Sequence, residues 1–151
     1  MINSFKGNKF ILYLGYYNTN LKFMEKIKRL GVTPEALAVV KMLKEKFGDL
    51  MFYQAGGCCE GTQPQCFEKG AFFPRTNDVC IGQIEGFDFW LDKDLFEYWK
   101  FSHFTLDVTN GFGPGGFSLE TPYGKTFQVK YRLFNEEENN NLEEVKLNSY
   151  D

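Results

Sequence analysis

The stretch TPEALAVVKMLKEKFGDLMFYQ, residues 33–54, decides the fold class. Thr33-Pro34-Glu35 reads as a helix start. Thr caps exposed amides, Pro at the first helical position sacrifices no bond, and Glu suits the positive end of the helix dipole. Ala36, Leu37, Val40, Leu43 and Phe47 then recur at helical spacing, and Gly48 supplies a stop. Lys41, Lys44 and Lys46 fall on the solvent side. Leu50 to Gln54 follows as a short strand running into Gly56-Gly57.

Outward from this unit, the chain reads mainly as strand. Residues 79–85 and 87–91 form two strands joined near Gly86, and residues 104–109 alternate as another. Asp92 caps a short helix over DKDLFEYWK. The segment from Gly56 to Gly70 and the NGFGPGG segment are expected as loops, and residues 117–121 as a strand. Pro122-Tyr123-Gly124 is a turn. Phe127, Val129, Tyr131 and Leu133 then alternate with Gln128, Lys130 and Arg132, the cleanest half-buried strand in the chain. The expectation is an α+β fold: mostly antiparallel β, with one N-terminal amphipathic helix and a short inserted helix.

The full chain has 151 residues, 17 Phe, 8 Tyr, 2 Trp, 4 Cys and one His, with a net charge of −3. Such aromatic richness excludes disorder throughout. The cysteine content is too low for a disulfide miniprotein. The charge gives no case for nucleic-acid binding. One His excludes any site built from two histidines of one chain. Residues 1–31 hold six basic groups and one acid, whereas residues 135–151 hold six acids and one Lys. The expected organisation is a peripheral N-terminal extension (1–31), a single α+β domain (32–134) and a disordered acidic tail (135–151). The apolar run from Phe10 to Tyr17 is too short to span a bilayer and lacks a following cleavage site. Met24 is an alternative start, so residues 1–23 are expected to lie outside the functional domain. The expected location is the cytoplasm, with no membrane partner.

Cys58, Cys59 and Cys66 fall within one Gly-bounded loop, QAGGCCEGTQPQC. Thiolates are soft ligands suited to zinc, copper(I) or iron–sulfur species, and a bound cation relieves the repulsion of adjacent thiolates. The spacing is not a standard zinc knuckle. Glu60, Cys80, water or a second chain would have to complete the site. Cys58, Cys59 and Cys66 are therefore the candidate metal ligands. Two alternatives stay open: thiol redox or nucleophilic chemistry at Cys58 or Cys59, and packing without chemistry. Cys80 is expected in the core. The glycines of NGFGPGGF fail the dinucleotide spacing, and close packing or a hairpin loop is expected there. His103 is a base or ligand only if folding brings it to the cysteine loop. Phe96, Tyr98 and Trp99 are expected as core and interface residues, with an aromatic-lined ligand pocket as the alternative; a binding module without chemistry, docking a partner through an aromatic surface that includes Trp99, is a further reading. No paired acid and base is identifiable.

Several of these segments together resemble the DUF779 family, a bacterial domain of unknown function whose genes lie beside aldehyde dehydrogenase genes. The resemblance rests on Thr33-Pro34, Leu50-Met51-Phe52, Gln54, Gly56-Gly57-Cys58-Cys59-Glu60-Gly61, Pro64 and Cys66. It continues through Phe96-Glu97-Tyr98-Trp99 and Gly116-Phe117-Ser118-Leu119-Glu120. It implies a link to aldehyde metabolism and an aldehyde dehydrogenase as partner, but no activity. The order of elements also resembles the HesB-like A-type iron–sulfur carriers. That resemblance implies a HesB-like fold, with Cys58 as a cluster ligand. Those carriers have a Cys-Gly-Cys near the C-terminus, and no cysteine follows Cys80 here. The expected function is a small accessory protein binding zinc, iron or an iron–sulfur cluster, with a homodimer as a candidate assembly and enzymatic activity left open.

Overall fold

The computed structural model describes residues 25–56, 63–113 and 116–149. The helix expected from Thr33 forms as α1, Pro34–Phe47, with Thr33 Oγ1 accepting the Ala36 amide and Gly48 at the C-cap. Its Ala36, Val40 and Leu43 are fully buried, the stripe that the spacing of apolar residues requires. The chain then enters β2 (Leu50–Gln54); β1 (Leu30–Val32) precedes the helix. β3 (Gln65–Glu68), β4 (Val79–Ile84) and β5 (Phe87–Leu91) follow. A short helix, α2 (Lys93–Trp99), is capped by Asp92 as expected. β6 (Ser102–Asn110) and β7 (Lys125–Leu133) form a long antiparallel pair. The chain closes with α3 (Glu136–Asn139) and β8 (Lys146–Leu147).

The strands make two sheets, one ordered β1-β6-β7 and the other β3-β2-β5-β4-β8. The α+β class holds, but both sheets are mixed, not mostly antiparallel. β1 runs parallel to β6, and β2 runs parallel to β5. Each parallel pair is built from strands distant in sequence: helices and strands lie between β1 and β6, and β3 and β4 lie between β2 and β5, giving the long crossover that parallel geometry demands. β1 lies over β4, where a Cβ at Gly82 would come within 3.3 Å of Leu30.

The core fills the space between the sheets and α1. Alternation divides the five-stranded sheet into two faces. Leu50, Phe52, Cys66, Phe89 and Leu91 join the main core, whereas Met51, Tyr53, Cys80 and Trp90 form a second cluster with Phe67 and Phe72. Phe52 stacks on Phe89 at 5.7 Å and meets Phe127 edge-on at 5.7 Å. β2 and β5 are thereby joined to β7 of the other sheet.

Three local expectations change. The Gly56–Gly70 loop contains β3. Residues 117–121 are not a strand: a turn leads there into a 3-10 helix, Thr121–Tyr123. The acidic tail is folded through residue 149. Asn135 makes a capping box with Glu138, Arg132 grips both Glu138 oxygens at 2.8 and 2.9 Å, and β8 pairs with β4. The Ile27 amide donates to the Asn141 carbonyl, and the Glu143 amide donates to the Ile27 carbonyl. Counting apolar surface missed this tail because capping and backbone hydrogen bonds hold it. On the N-terminal side, Leu30 belongs to the core and β1 to a sheet, so the fold starts before the expected boundary at residue 32. No described helix is long and apolar enough to cross a membrane.

Arg132 first, then the Asn135 amide, hold Glu138 down to about 2, below its ordinary 4.5. A depressed carboxylate stabilises fully above its unfolded pKa, and that contribution is lost as pH falls through the folded value. Amide protection at Asn139 and Asn140, corrected for intrinsic exchange, is therefore expected to fall between pH 4.5 and about 2. Glu138→Gln should remove that dependence; unchanged protection across this window would refute the coupling.

Candidate functional site

Of the three candidate ligands, Cys58 and Cys59 lie outside the described residues, as do Gly57, Glu60 and Gly61. Cys66 is placed. It sits in β3 opposite Phe52, fully buried, with its side chain in the main core. Its amide donates to Ser118 Oγ at 2.8 Å, and its carbonyl accepts the Leu119 amide at 3.0 Å. The Ser118 hydroxyl in turn donates to the Glu120 carboxylate. The Phe127 amide donates to the other Glu120 oxygen at 3.1 Å. Cys66, Ser118 and Glu120 thus form one buried cluster joining β3, the 116–123 turn and β7.

Glu120 is 2% exposed. Burial raises its pKa, against the hydrogen bonds from Ser118 and Phe127, which lower it. Burial also pushes the Cys66 thiol far above its ordinary value, and the neighbouring Glu120 adds to the shift. Nucleophilicity and metal ligation belong to the thiolate, so Cys66 coordinates only if a bound cation displaces its proton.

The expectation that Cys80 is core is met. It lies opposite Trp90 on the other face of the sheet, its thiol donating to the Gly82 carbonyl at 3.4 Å. Cys66 and Cys80 therefore point to opposite faces. His103 is not brought to Cys66. It pairs with Arg132, whereas Glu120 binds Phe127, the partner of Val108. Five residues of strand separate these positions, roughly 17 Å. His103 Nδ1 lies 3.2 Å from Thr105 Oγ1, and burial, then Arg132, lowers its pKa. Among the described residues no group of three or more His, Cys, Asp or Glu is placed to hold a metal ion.

The flanks of the cysteine loop are tightly built. A Cβ at Gly56 would come within 2.7 Å of Asp92 Oδ1, the oxygen that accepts the Asp94 amide at 2.9 Å. The Asp92 amide donates to the Gln54 carbonyl at 3.0 Å. A Cβ at Gly113 would lie 2.5 Å from Thr126 Cγ2 and 2.8 Å from Gln63 Oε1. Gly113, in the NGFGPGG segment expected as close packing or a hairpin loop, is thus closely packed against Gln63 at the loop's return, whereas residues 114 and 115 lie outside the described residues. Trp99 stacks on Tyr131 at 4.6 Å, a packing contact within the fold, and Tyr98 beside it is exposed.

Ser118 and Glu120 escaped the sequence reading of this site. A strand at 117–121 sets Phe117, Leu119 and Thr121 on one side, and the polar pair on the other. The turn instead buries Ser118 and Glu120 and leaves Phe117 86% exposed. No apolar periodicity marks such a reversal.

A family model described as Domain of unknown function (DUF779) matches residues 39–133, spanning β2, Cys66 and Glu120. No curated protein and no solved structure gave a significant match.

Cys66 and Cys80 are expected to resist iodoacetamide in the native protein and to label only on unfolding, as read by peptide mass mapping. Rapid native labelling of Cys66 would contradict its burial. Glu120→Ala strands the Ser118 hydroxyl and the Phe127 amide. It is expected to cost at least about 2 kcal/mol in denaturant unfolding, since each buried unpaired group costs about 1–3 kcal/mol.

Proposed function

Since the chain belongs to the DUF779 family, a domain of unknown function, we propose a function from its own residues. It is a small cytoplasmic accessory protein that binds a soft metal or iron–sulfur species through Cys58 and Cys59, with Cys66 as the third thiol. One observation carries this reading. β2 and β3 pair antiparallel, with Tyr53 opposite Gln65 and Phe52 opposite Cys66. The chain leaves the sheet after Gln54 and re-enters at Gln65, so both ends of the segment bearing Cys58 and Cys59 are set at one end of the sheet, beside Cys66. Three thiols in so short a closed segment supply a soft donor set for zinc or iron.

The buried, protonated state of Cys66 adds a constraint. Coordination must release its proton, so affinity should rise steeply with pH. The proposed client is an aldehyde dehydrogenase, and the HesB-like resemblance makes an iron–sulfur cluster one of the species to test. A second reading is favoured by the same burial. If Cys66 keeps its proton, Cys58 and Cys59 remain as a thiol pair for redox or nucleophilic chemistry.

Metal analysis and absorption spectra of anaerobically purified full-length protein test the two. Stoichiometric zinc, iron or cluster, lost in Cys58→Ala/Cys59→Ala and weakened in Cys66→Ala, is the expected result. Substoichiometric metal with unchanged spectra on reconstitution would sink metal binding. Iodoacetamide labelling of Cys58 or Cys59 with a pKa well below the free value of about 8.5 would then favour the thiol reading.

A further inference from the structure

The face of the five-stranded sheet turned away from the main core is not bare. The segment between β3 and β4 folds back over it. Phe72 stacks on Phe67 at 5.2 Å and leans on Tyr53 at 4.5 Å. Asn148 Nδ2 donates to the Pro74 and Arg75 carbonyls at 2.7 and 3.0 Å, so the folded tail fixes the far end of this flap. Between flap and sheet lies a cavity of about 390 Å³, within the range of small-ligand pockets.

The lining has a definite chemistry. Met51 and Trp90 come from the sheet, and Phe72 and Phe73 from the flap. Asp49 and Asp88 also line it, against one Lys, Lys69. Gln83 Nε2 donates to Asp88 Oδ1 at 2.8 Å, which orients that carboxylate. Neither Asp49 nor Asp88 has an ion-pair partner among the described residues. The Trp90 ring already draws a cation, since Lys146 Nζ stands 6.0 Å from its centroid. Aromatic faces attract cations through their quadrupole, and of the charged groups that line the cavity two are carboxylates and one is an ammonium, Lys146 standing outside the lining.

We propose that this cavity is a binding site for a small organic ammonium ion with an apolar body. The body lies among Met51, Trp90 and the flap phenylalanines, and the ammonium group is drawn to Asp49 and Asp88. The site uses none of the cysteines, so it stands independently of the thiol reading.

Isothermal titration of the full chain with 2-phenylethylammonium tests it, with 3-phenylpropionate as the anionic counterpart of similar shape. Saturable binding of the ammonium ion and weaker or no binding of the carboxylate are expected. Asp88→Asn should weaken the ammonium about fivefold, the scale of one partly exposed ion pair. Phe73→Ala should also weaken it; Phe73 is 70% exposed, so its truncation spares the fold. Absence of saturable binding, equal or tighter binding of 3-phenylpropionate, or unchanged affinity in both variants would overturn the proposal.

Discussion

The contact of Phe52 with Phe89 and Phe127 is the constraint on which the rest depends. Phe52 is fully buried and touches a strand of its own sheet and a strand of the other. Through this contact β7 is held where the Phe127 amide reaches Glu120. Opposite Phe52 on the other side stands Cys66. The sheets, the buried carboxyl and the third thiol therefore share one packing centre. A large-to-small change at Phe52 would remove two ring contacts together, and such core truncations typically cost about 3–5 kcal/mol.

That centre sets the chemistry available at the end of the sheet. A carboxyl and a thiol are buried side by side without a cation among the described residues to neutralise them. Low dielectric penalises the charged form of each, and two negative charges would repel. Burial therefore raises the pKa of both groups, so a cation that ligates the Cys66 thiol has to displace its proton. On the opposite face, Cys80 and Trp90 sit in a separate aromatic layer. Each face of the sheet thus carries one buried thiol, Cys66 in the main core and Cys80 in the second cluster.

Much of this was legible residue by residue. Thr33 caps the helix, Gly48 ends it, Asp92 caps α2, and Cys80 is buried. Each follows from local hydrogen bonding or from side-chain period. The mixed character of the sheets was not legible, because the pairing of β2 with β5 depends on strands well apart in sequence. The folded tail was hidden for another reason. Asn135, Glu138 and Arg132 hold it through polar geometry that composition alone treats as solvated.

The sequence by itself determined the helix over Pro34–Phe47, the existence of a strand over Lys125–Leu133, whose expected half-buried alternation fails at exposed Leu133, and the grouping of three cysteines in one short segment. These depend on neighbours within a few residues. Tertiary structure alone decided that Ser118 and Glu120 turn inward, that Cys66 joins the core, and that His103 sits far from it. Burial of a polar group depends on which distant donors can satisfy it. The Phe127 amide, seven residues beyond Glu120, becomes its donor only once β7 has docked.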